Sequence, residues 1–291
     1  MIQCFVKRVY KDSFAVDHIP RLVSASNIRF DYSKHTRVLH RHDNLFEILF
    51  VRSGSGSYVI ENKSYRIQKG DLIICNAGTL HDEVTEENNE LWTYSIAIEN
   101  LKLNSDLPEN HLISGKVRPV IATGNYYELF NTMLESIFEL LSSGKGLVEE
   151  LCHYQMMSLL CACLCLINEA SDSESAPIDD SALTMKIRKY IDSHYTEDLS
   201  LQSISEKFHI TAYYLAHIFK KDLSYSPMQY ILRRRIGEAQ TLLITTNKTI
   251  TDVAVSVGFN NPNNFNIQFT KYVGLSPREY RKSYTQQKGG K

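Results

Sequence analysis

The sequence contains no unbroken stretch of about 20 apolar residues, the length needed to cross a bilayer. Its first residues also lack the charged-then-apolar pattern of a leader, so a soluble, cytoplasmic protein with no membrane partner is expected. Metal-type cysteine pairing is missing too. The six cysteines stand at Cys4, Cys75, Cys152, Cys161, Cys163 and Cys165. The Cys161-x-Cys163-x-Cys165 run lacks the two-residue gap of structural zinc sites, and in an apolar helix such thiols act as small hydrophobes. In a cytosolic chain they are expected to stay reduced. The polar composition of a disordered chain is absent: 43% of the 291 residues are hydrophobic, enough to build cores in about two domains.

Overall charge is nearly absent, and that absence is deceptive. The net value of −1 conceals residues 1–182, with 16 Lys and Arg against 25 Asp and Glu, and residues 183–291, with 16 against 8. A basic tail behind an acidic front points to a polyanion partner for the tail. Between them Glu169 to Ser181, EASDSESAPIDDS, has no apolar period and is expected to be an extended domain linker.

The stretch Ile250 to Tyr280 carries the strongest pattern. Ile250, Val253, Ala254 and Val257 form one apolar helical face, and Gly258 supplies a turn. A second helix then turns Phe265 and Phe269 inward and stops at Gly274-Leu275-Ser276-Pro277. Helix, Gly-containing turn, helix is the DNA-reading unit. The unit occurs twice. Shifted by 49, Leu201, Ile204, Ser205, Phe208 and Ile210 fall on Ile250, Val253, Ala254, Val257 and Phe259. Past the turn the shift is 50, and Leu215, Phe219, Ser226, Pro227 and Tyr230 fall on Phe265, Phe269, Ser276, Pro277 and Tyr280. A helix-forming segment from Met228 to Thr245 joins the copies.

At these residues the chain resembles the AraC/XylS family of bacterial transcription regulators, over Leu183 to Tyr284. One departure is Ser224, where the family has the glycine that Gly274 supplies in the second copy. The resemblance implies base contacts at Tyr213, Ala216 and His217, with Lys220 suited to phosphate. In the second copy Asn261, Asn263, Asn264 and Asn266 crowd one helix start. Asn pairs bidentately with adenine, and Asn also caps helices, a role open to Asn260 or Asn261. Ile267 stands where many members carry a basic residue and is suited to a thymine methyl. Arg233, Arg234, Arg235, Lys271, Arg278, Arg281 and Lys282 are expected at phosphates or, in part, in ion pairs with residues such as Glu238.

The region from position 1 to position 110 reads as short strands: Val38-Leu39, Phe46 to Val51, Ser57 to Ile60, Ser64 to Ile67, Asp71 to Cys75 and Leu91 to Ile98. Turns are expected at Ser53-Gly54-Ser55-Gly56 and three later points. Within them His40-x-His42, Glu47 and Gly54, then Gly70, Gly78 and His81, resemble the two cupin motifs, with Asn76 replacing the usual proline and Thr85 the usual asparagine. Residues two apart on a strand share a face, so His40 and His42 can converge with Glu47 and His81. The four can hold a first-row metal, or they can line a pocket for an organic effector. No cofactor is expected; the effector, a sugar or related metabolite, is expected against His40, His42, Glu47, His81 and Tyr94.

Helical periodicity returns at Tyr126 to Leu141 and Leu147 to Ile167, broken by Ser142 to Gly146. In the family such helices cover the barrel and serve dimerisation; covering alone is the other reading. The expected architecture is α+β: a cupin-like β-barrel over 1–110, a helical cover over 111–169, a linker over 170–182, and an all-α tandem helix-turn-helix domain over 183–291. The function expected is an effector-responsive regulator that binds promoter DNA as a homodimer and contacts RNA polymerase. The alternative is a metal-dependent cupin enzyme with a helical appendage, against which the doubled reader argues. An architectural DNA-binding protein without effector is a further rival.

Overall fold

The structure is a computed structural model that describes residues 11–30, 38–61, 63–84, 90–144, 146–171, 182–223 and 225–287. Cys4, Thr85, Ser224 and residues 172–181 of the expected linker lie outside the described residues, whereas the start of that linker, through Ser171, continues helix rather than extended chain. The strands are β1 (Arg21–Phe30), β2 (Leu45–Ile60), β3 (Lys63–Gln68), β4 (Asp71–Cys75), β5 (His81–Val84), β6 (Leu91–Glu99) and β7 (Val120–Ala122). The helices are α1 (Tyr127–Ser142), α2 (Val148–Ser171), α3 (Ala182–His194), α4 (Leu201–Lys207), α5 (Ala212–Leu223), α6 (Pro227–Thr245), α7 (Ile250–Ser256), α8 (Pro262–Val273) and α9 (Pro277–Gln287).

The sheet runs β1-β6-β2-β4-β7, and β3 and β5 also pair with β2. One strand, Leu45–Ile60, thus replaces the two short strands and turn expected over 46–60. Its front half pairs with β4 and β6, and its rear half with β3 and β5. The corner is at Gly54, just after the register shift between Val51 and Ser53. Gly54 has φ +85°, and a Cβ there would sit 1.8 Å from the Glu90 carbonyl oxygen. Only glycine lets the strand pass from one half to the other.

Alternation along β2 separates two cores. Leu49, Val51, Tyr58 and Ile60 fill the barrel interior with Ile73, Cys75 and Leu91. Phe46, Ile48 and Phe50 face outward to Phe130, Leu134 and Ile137 of α1 and to Met156, Leu159 and Cys163 of α2. By length and mean composition alone, Val148–Ala170 would be long and apolar enough to cross a membrane, although its apolar run is interrupted by His153, Gln155, Ser158 and Asn168. Much of its apolar surface is instead spent on this core. One line stays exposed, Leu151, Tyr154, Cys161 and Cys165, continued by Leu147 just before the helix.

The third core belongs to α3–α9, yet it includes Val38, Leu39, Val59 and Leu80 from the barrel half. Val38-Leu39 is therefore not a strand. It leaves the barrel and packs on the helical half. Strands β1, β5 and β7 have no counterpart in the sequence reading, because β1 lies in a stretch without turn signals and the other two are very short.

The repeat is reproduced in detail. Ser200 caps α4 with Ser203 in a reciprocal box, and Thr249 caps α7 with Asp252 in the same way. Ser226 with Gln229 starts α6, and Ser276 with Glu279 starts α9. Gly258 turns with φ +89°, and its counterpart His209 takes φ +55°. The turn hydrogen bonds match as well: Ile210 N to Ser205 O at 3.0 Å, and Phe259 N to Ala254 O at 2.9 Å.

Candidate nucleic-acid interface and sensor site

The second helix of each unit presents a short row of side chains to solvent. On α5, Leu215, Ile218 and Phe219 are buried, which leaves Tyr213 (84% exposed), His217 and Lys220 outward and Ala216 half-buried. On α8, Phe265, Phe269 and Val273 are buried, and Asn263, Asn264, Asn266 and Ile267 (65% exposed) face outward. The second shift of the repeat aligns Tyr213 with Asn263, Ala216 with Asn266 and His217 with Ile267. Asn261 has a different task. Its Oδ1 accepts from Asn263 N at 2.8 Å and from Asn264 N at 3.3 Å. Asn261 is therefore the helix cap, as Thr211 is for Tyr214 N at 3.1 Å.

The basic residues divide sharply. Lys271, Arg278 and Lys282 are exposed. Arg233, Arg234, Arg235 and Arg281 hold the protein together instead. Arg235 donates to the Tyr195 and Glu197 carbonyls at 2.7 and 2.6 Å, and Arg281 Nε to Leu243 O at 3.0 Å. The Arg281 Nε–H thus ties α9 to α6. Arg234 lies near Asp192 and Glu238, at 3.6 and 3.9 Å.

Arg233 reaches furthest. Its Nε donates to Asp82 Oδ2 of β5 at 2.6 Å, inside the protein, and Tyr225 donates to the same oxygen at 2.9 Å. Tyr225 and Tyr272 flank its guanidinium. One and two turns along α6, Gly237 lies under the Val38 and Leu39 carbonyls, and Gln240 Oε1 accepts from Val38 N at 2.9 Å. A Cβ at Gly237 would meet Leu39 O at 2.1 Å. Arg233, Gly237 and Gln240 form one stripe of α6, and that stripe is the docking line to the barrel. On α3, Arg188 adds an ion pair to Glu61 at 2.7 Å. Sequence reasoning missed Asp82 as an anchor; an acidic residue between two inward-facing strand positions, His81 and Glu83, was the available signal.

Behind this line sits the cluster of His40, His42, Glu47 and His81. His40 and His81 bridge as antiparallel neighbours through N–H to O contacts of 3.0 and 2.9 Å. Glu47 lies 3.0 Å from His81 Nε2 and 3.3 Å from His42 Nε2. One ligand atom from each of the four falls within 4.8 Å of the others. The Nδ1 atoms of His40 and His81 face the Val38 and Thr79 carbonyls at 3.1 and 2.9 Å. With the proton on Nδ1, each Nε2 is left to the cluster, an arrangement that suits a first-row cation. Burial pushes the Glu47 carboxyl up, but hydrogen bonds from His42 and His81 and their charge outweigh it and hold it well below the ordinary range. Burial pulls His81 down, and the neighbouring Cys75 sulfur and Glu47 carboxylate more than offset this, leaving it well above its usual value. The cluster without metal is thus an ionised carboxylate between imidazoles. Tyr94 does not join it. It faces Phe138 on the helix side and contacts Arg52 and Glu135, because strand alternation turns it away from Glu47.

Comparison with known proteins adds two family matches: the AraC-like ligand binding domain over residues 25–185 and a helix-turn-helix domain over residues 204–283. The chain belongs to the AraC family. Among its relatives is the uncharacterized HTH-type transcriptional regulator YdiP of Escherichia coli K12, 28% identical over 247 residues, 84% of this chain and 81% of that one. The melibiose operon regulatory protein of the same strain is 28% identical over 261 residues, 84% and 83% of the two chains. Among solved structures, ToxT of Vibrio cholerae O395 aligns over 90% of this chain and 98% of its own, at 15% identity and a TM-score of 0.44. This AraC-family chain is accordingly a DNA-binding transcription regulator with a ligand-binding domain, and its relatives are regulators rather than enzymes.

Proposed function

We propose that this regulator reads promoter DNA through Tyr213, Ala216, His217 and Lys220 on α5 and through Asn263, Asn264, Asn266 and Ile267 on α8. The observation that carries the assignment is the matched exposure of these rows beside the buried apolar face of each helix. Lys271, Arg278 and Lys282 serve phosphates, which give affinity without sequence information. His217→Ala and Asn263→Ala are each expected to cost about 1–3 kcal/mol at their own base positions only. Binding assays on a panel of single-base operator variants check this; equal losses across all variants would remove these residues as base readers.

The effector, in this reading, meets His40, His42, Glu47 and His81, and it acts on α6 through the two segments next to that cluster. Val38 lies two residues before His40 and Asp82 one residue after His81, so any shift of the bridged pair is handed directly to Gln240 and Arg233. A small organic effector, a sugar or related metabolite, is favoured by kinship to the melibiose regulator. A second reading, a divalent metal, is favoured by the two Nδ1–carbonyl contacts. Elemental analysis separates them: near-stoichiometric first-row metal, lost in His42→Ala, selects the metal. The protein acts in the cytoplasm and contacts RNA polymerase. It pairs as a homodimer along Leu147, Leu151, Tyr154, Cys161 and Cys165, a line whose spacing suits a helix–helix seam. Light scattering that finds only monomer at micromolar concentration would remove the dimer.

A further inference from the structure

The cysteine run of α2 is divided by the fold. Cys163 is buried in the core against β2 and α1, the small-hydrophobe role expected of all three. Cys161 and Cys165 stand exposed on the other side of the helix, as free thiols. Four residues apart on a helix, their Cβ atoms lie about 5–6 Å from each other on one face. Burial and the charge of the neighbouring Cys165 sulfur push the Cys161 thiol up. A pair at this spacing is one half of a tetrahedral sulfur site; helical histidines four apart clasp zinc in the same way.

The exposed line on α2 indicates where the other half comes from. Leu151, Tyr154, Ser158, Cys161 and Cys165 follow one another at steps of three and four, the spacing of a two-helix seam. The two cysteines occupy consecutive layers of it. In-register pairing with a second copy sets each residue beside its own counterpart, so four sulfurs from two chains meet around one point. Charge adds an independent argument. Helices α1 and α2 each carry three glutamates and no lysine or arginine. Of these glutamates only Glu135 forms an ion pair among the described residues, with Arg52. Glu169 stands at the end of the line, where its carboxylate accepts from Tyr126 at 2.9 Å, close to Cys165. Two such faces repel each other, and a cation between them offsets that repulsion.

We propose that Cys161 and Cys165 of two copies together bind one thiophilic dication of the zinc class across the α2 seam. This site rests on the α2 homodimer and is independent of the histidine cluster. Binding exchanges the thiol protons for metal–sulfur bonds of about 2.3 Å, with the protons released to solvent and no change of oxidation state. Tetrahedral all-sulfur coordination selects zinc-class ions over magnesium or calcium. One chain alone offers too few ligands, so cation and dimer stabilise each other by mass action.

Cobalt(II) is the probe, because sulfur-bound tetrahedral cobalt shows charge-transfer bands that oxygen and nitrogen ligands do not. Full-length protein, kept reduced by a phosphine, is titrated with cobalt(II), and its mass is followed by light scattering with and without zinc(II). Sulfur bands that saturate at one cobalt per two chains and vanish on adding zinc(II) are the expected result. Cys161→Ser and Cys165→Ser should each weaken that binding about tenfold or more. Both positions are exposed, and circular dichroism verifies folding. Cobalt at the histidine cluster is told apart by its lack of sulfur bands and by its persistence in both variants. A dimer without sulfur-bound cobalt overturns the metal site and leaves the seam standing. A monomer under all conditions overturns both. Sulfur-bound cobalt at one per chain in a monomer overturns the sharing between copies. Interchain disulfides under oxidant, with no cobalt bound to sulfur, overturn the metal site and give the thiols to redox chemistry.

Discussion

The first helix-turn-helix is gripped by the barrel: β3 packs on α5, Tyr225 donates to Asp82, and α6 begins beside it with Arg233 on the same carboxylate. The second packs on α6 and α9, and it reaches the docking line through Tyr272 near Arg233. Two units that match closely in caps, turns and cores therefore differ in what holds them. Local sequence builds each copy. Which copy the barrel holds is decided by a stripe on the helix between them.

The largest test of that contrast is Asp82→Ala. It strands Arg233 inside the protein without its counter-charge, and removing one member of a buried pair costs about 3–5 kcal/mol. Thermal unfolding should record the loss, and hydrogen exchange should show α5 loosening more than α8. Equal loosening of both would break the comparison. Gly237→Ala comes next. In a free helix alanine gains about 1 kcal/mol over glycine, whereas here its Cβ would meet Leu39 O at 2.1 Å. A net destabilisation of about 1–3 kcal/mol is expected from such overpacking. A stabilised variant in denaturant melts would mean that α6 does not dock as described.

Two smaller tests sharpen the likeness of the copies. His209 occupies the left-handed turn that Gly258 occupies in the second unit, at a cost of roughly 1 kcal/mol for a side chain. His209→Gly should recover about that amount. Gly258→Ala should lose stability, since its Cβ would also stand 2.5 Å from Thr196 O. Chemical denaturation of both variants measures the pair. Finally, the α6 cap uses Gln229 and the α9 cap Glu279. The Ser276 hydroxyl and amide hold the Glu279 carboxyl below its ordinary value. A depressed carboxyl stabilises the fold above its unfolded value, and that contribution fades as pH falls through the folded one. Acidification across the carboxylate range should fray α9 before the start of α6, as amide NMR would show, and Glu279→Gln should abolish the difference.

Much of this was legible in the sequence. The repeat revealed both units, the linking helix and the outward rows, because apolar residues at helical spacing and Gly258 specify local structure. The His40, His42, Glu47 and His81 convergence was legible too, since strand period fixes their facing. What escaped was decided by long-range contact. Nothing local distinguishes Arg233, tied to Asp82 some 151 positions away, from an arginine awaiting phosphate. Tyr94 looked like a pocket residue until pairing with β2 fixed which face it takes. The Ser53 to Gly56 run reads as a turn, and only a strand serving two halves of a barrel uses it as a corner.

Helix α6 runs unbroken from Pro227 to Thr245, and a reader sits at either end. At the rise of an α-helix this is roughly 30 Å of rod. Its backbone cannot stretch, so the interval between the two DNA elements addressed by one chain is written into protein length. The barrel grips this ruler along one edge and can tilt or release it, but cannot recalibrate it. Promoters answering to this regulator are thus bound to one phasing between the two elements that a single chain addresses. Evolution of a new interval would have to proceed by whole residues of α6, each adding about 1.5 Å of length and a rotation of the second reader about the helix axis.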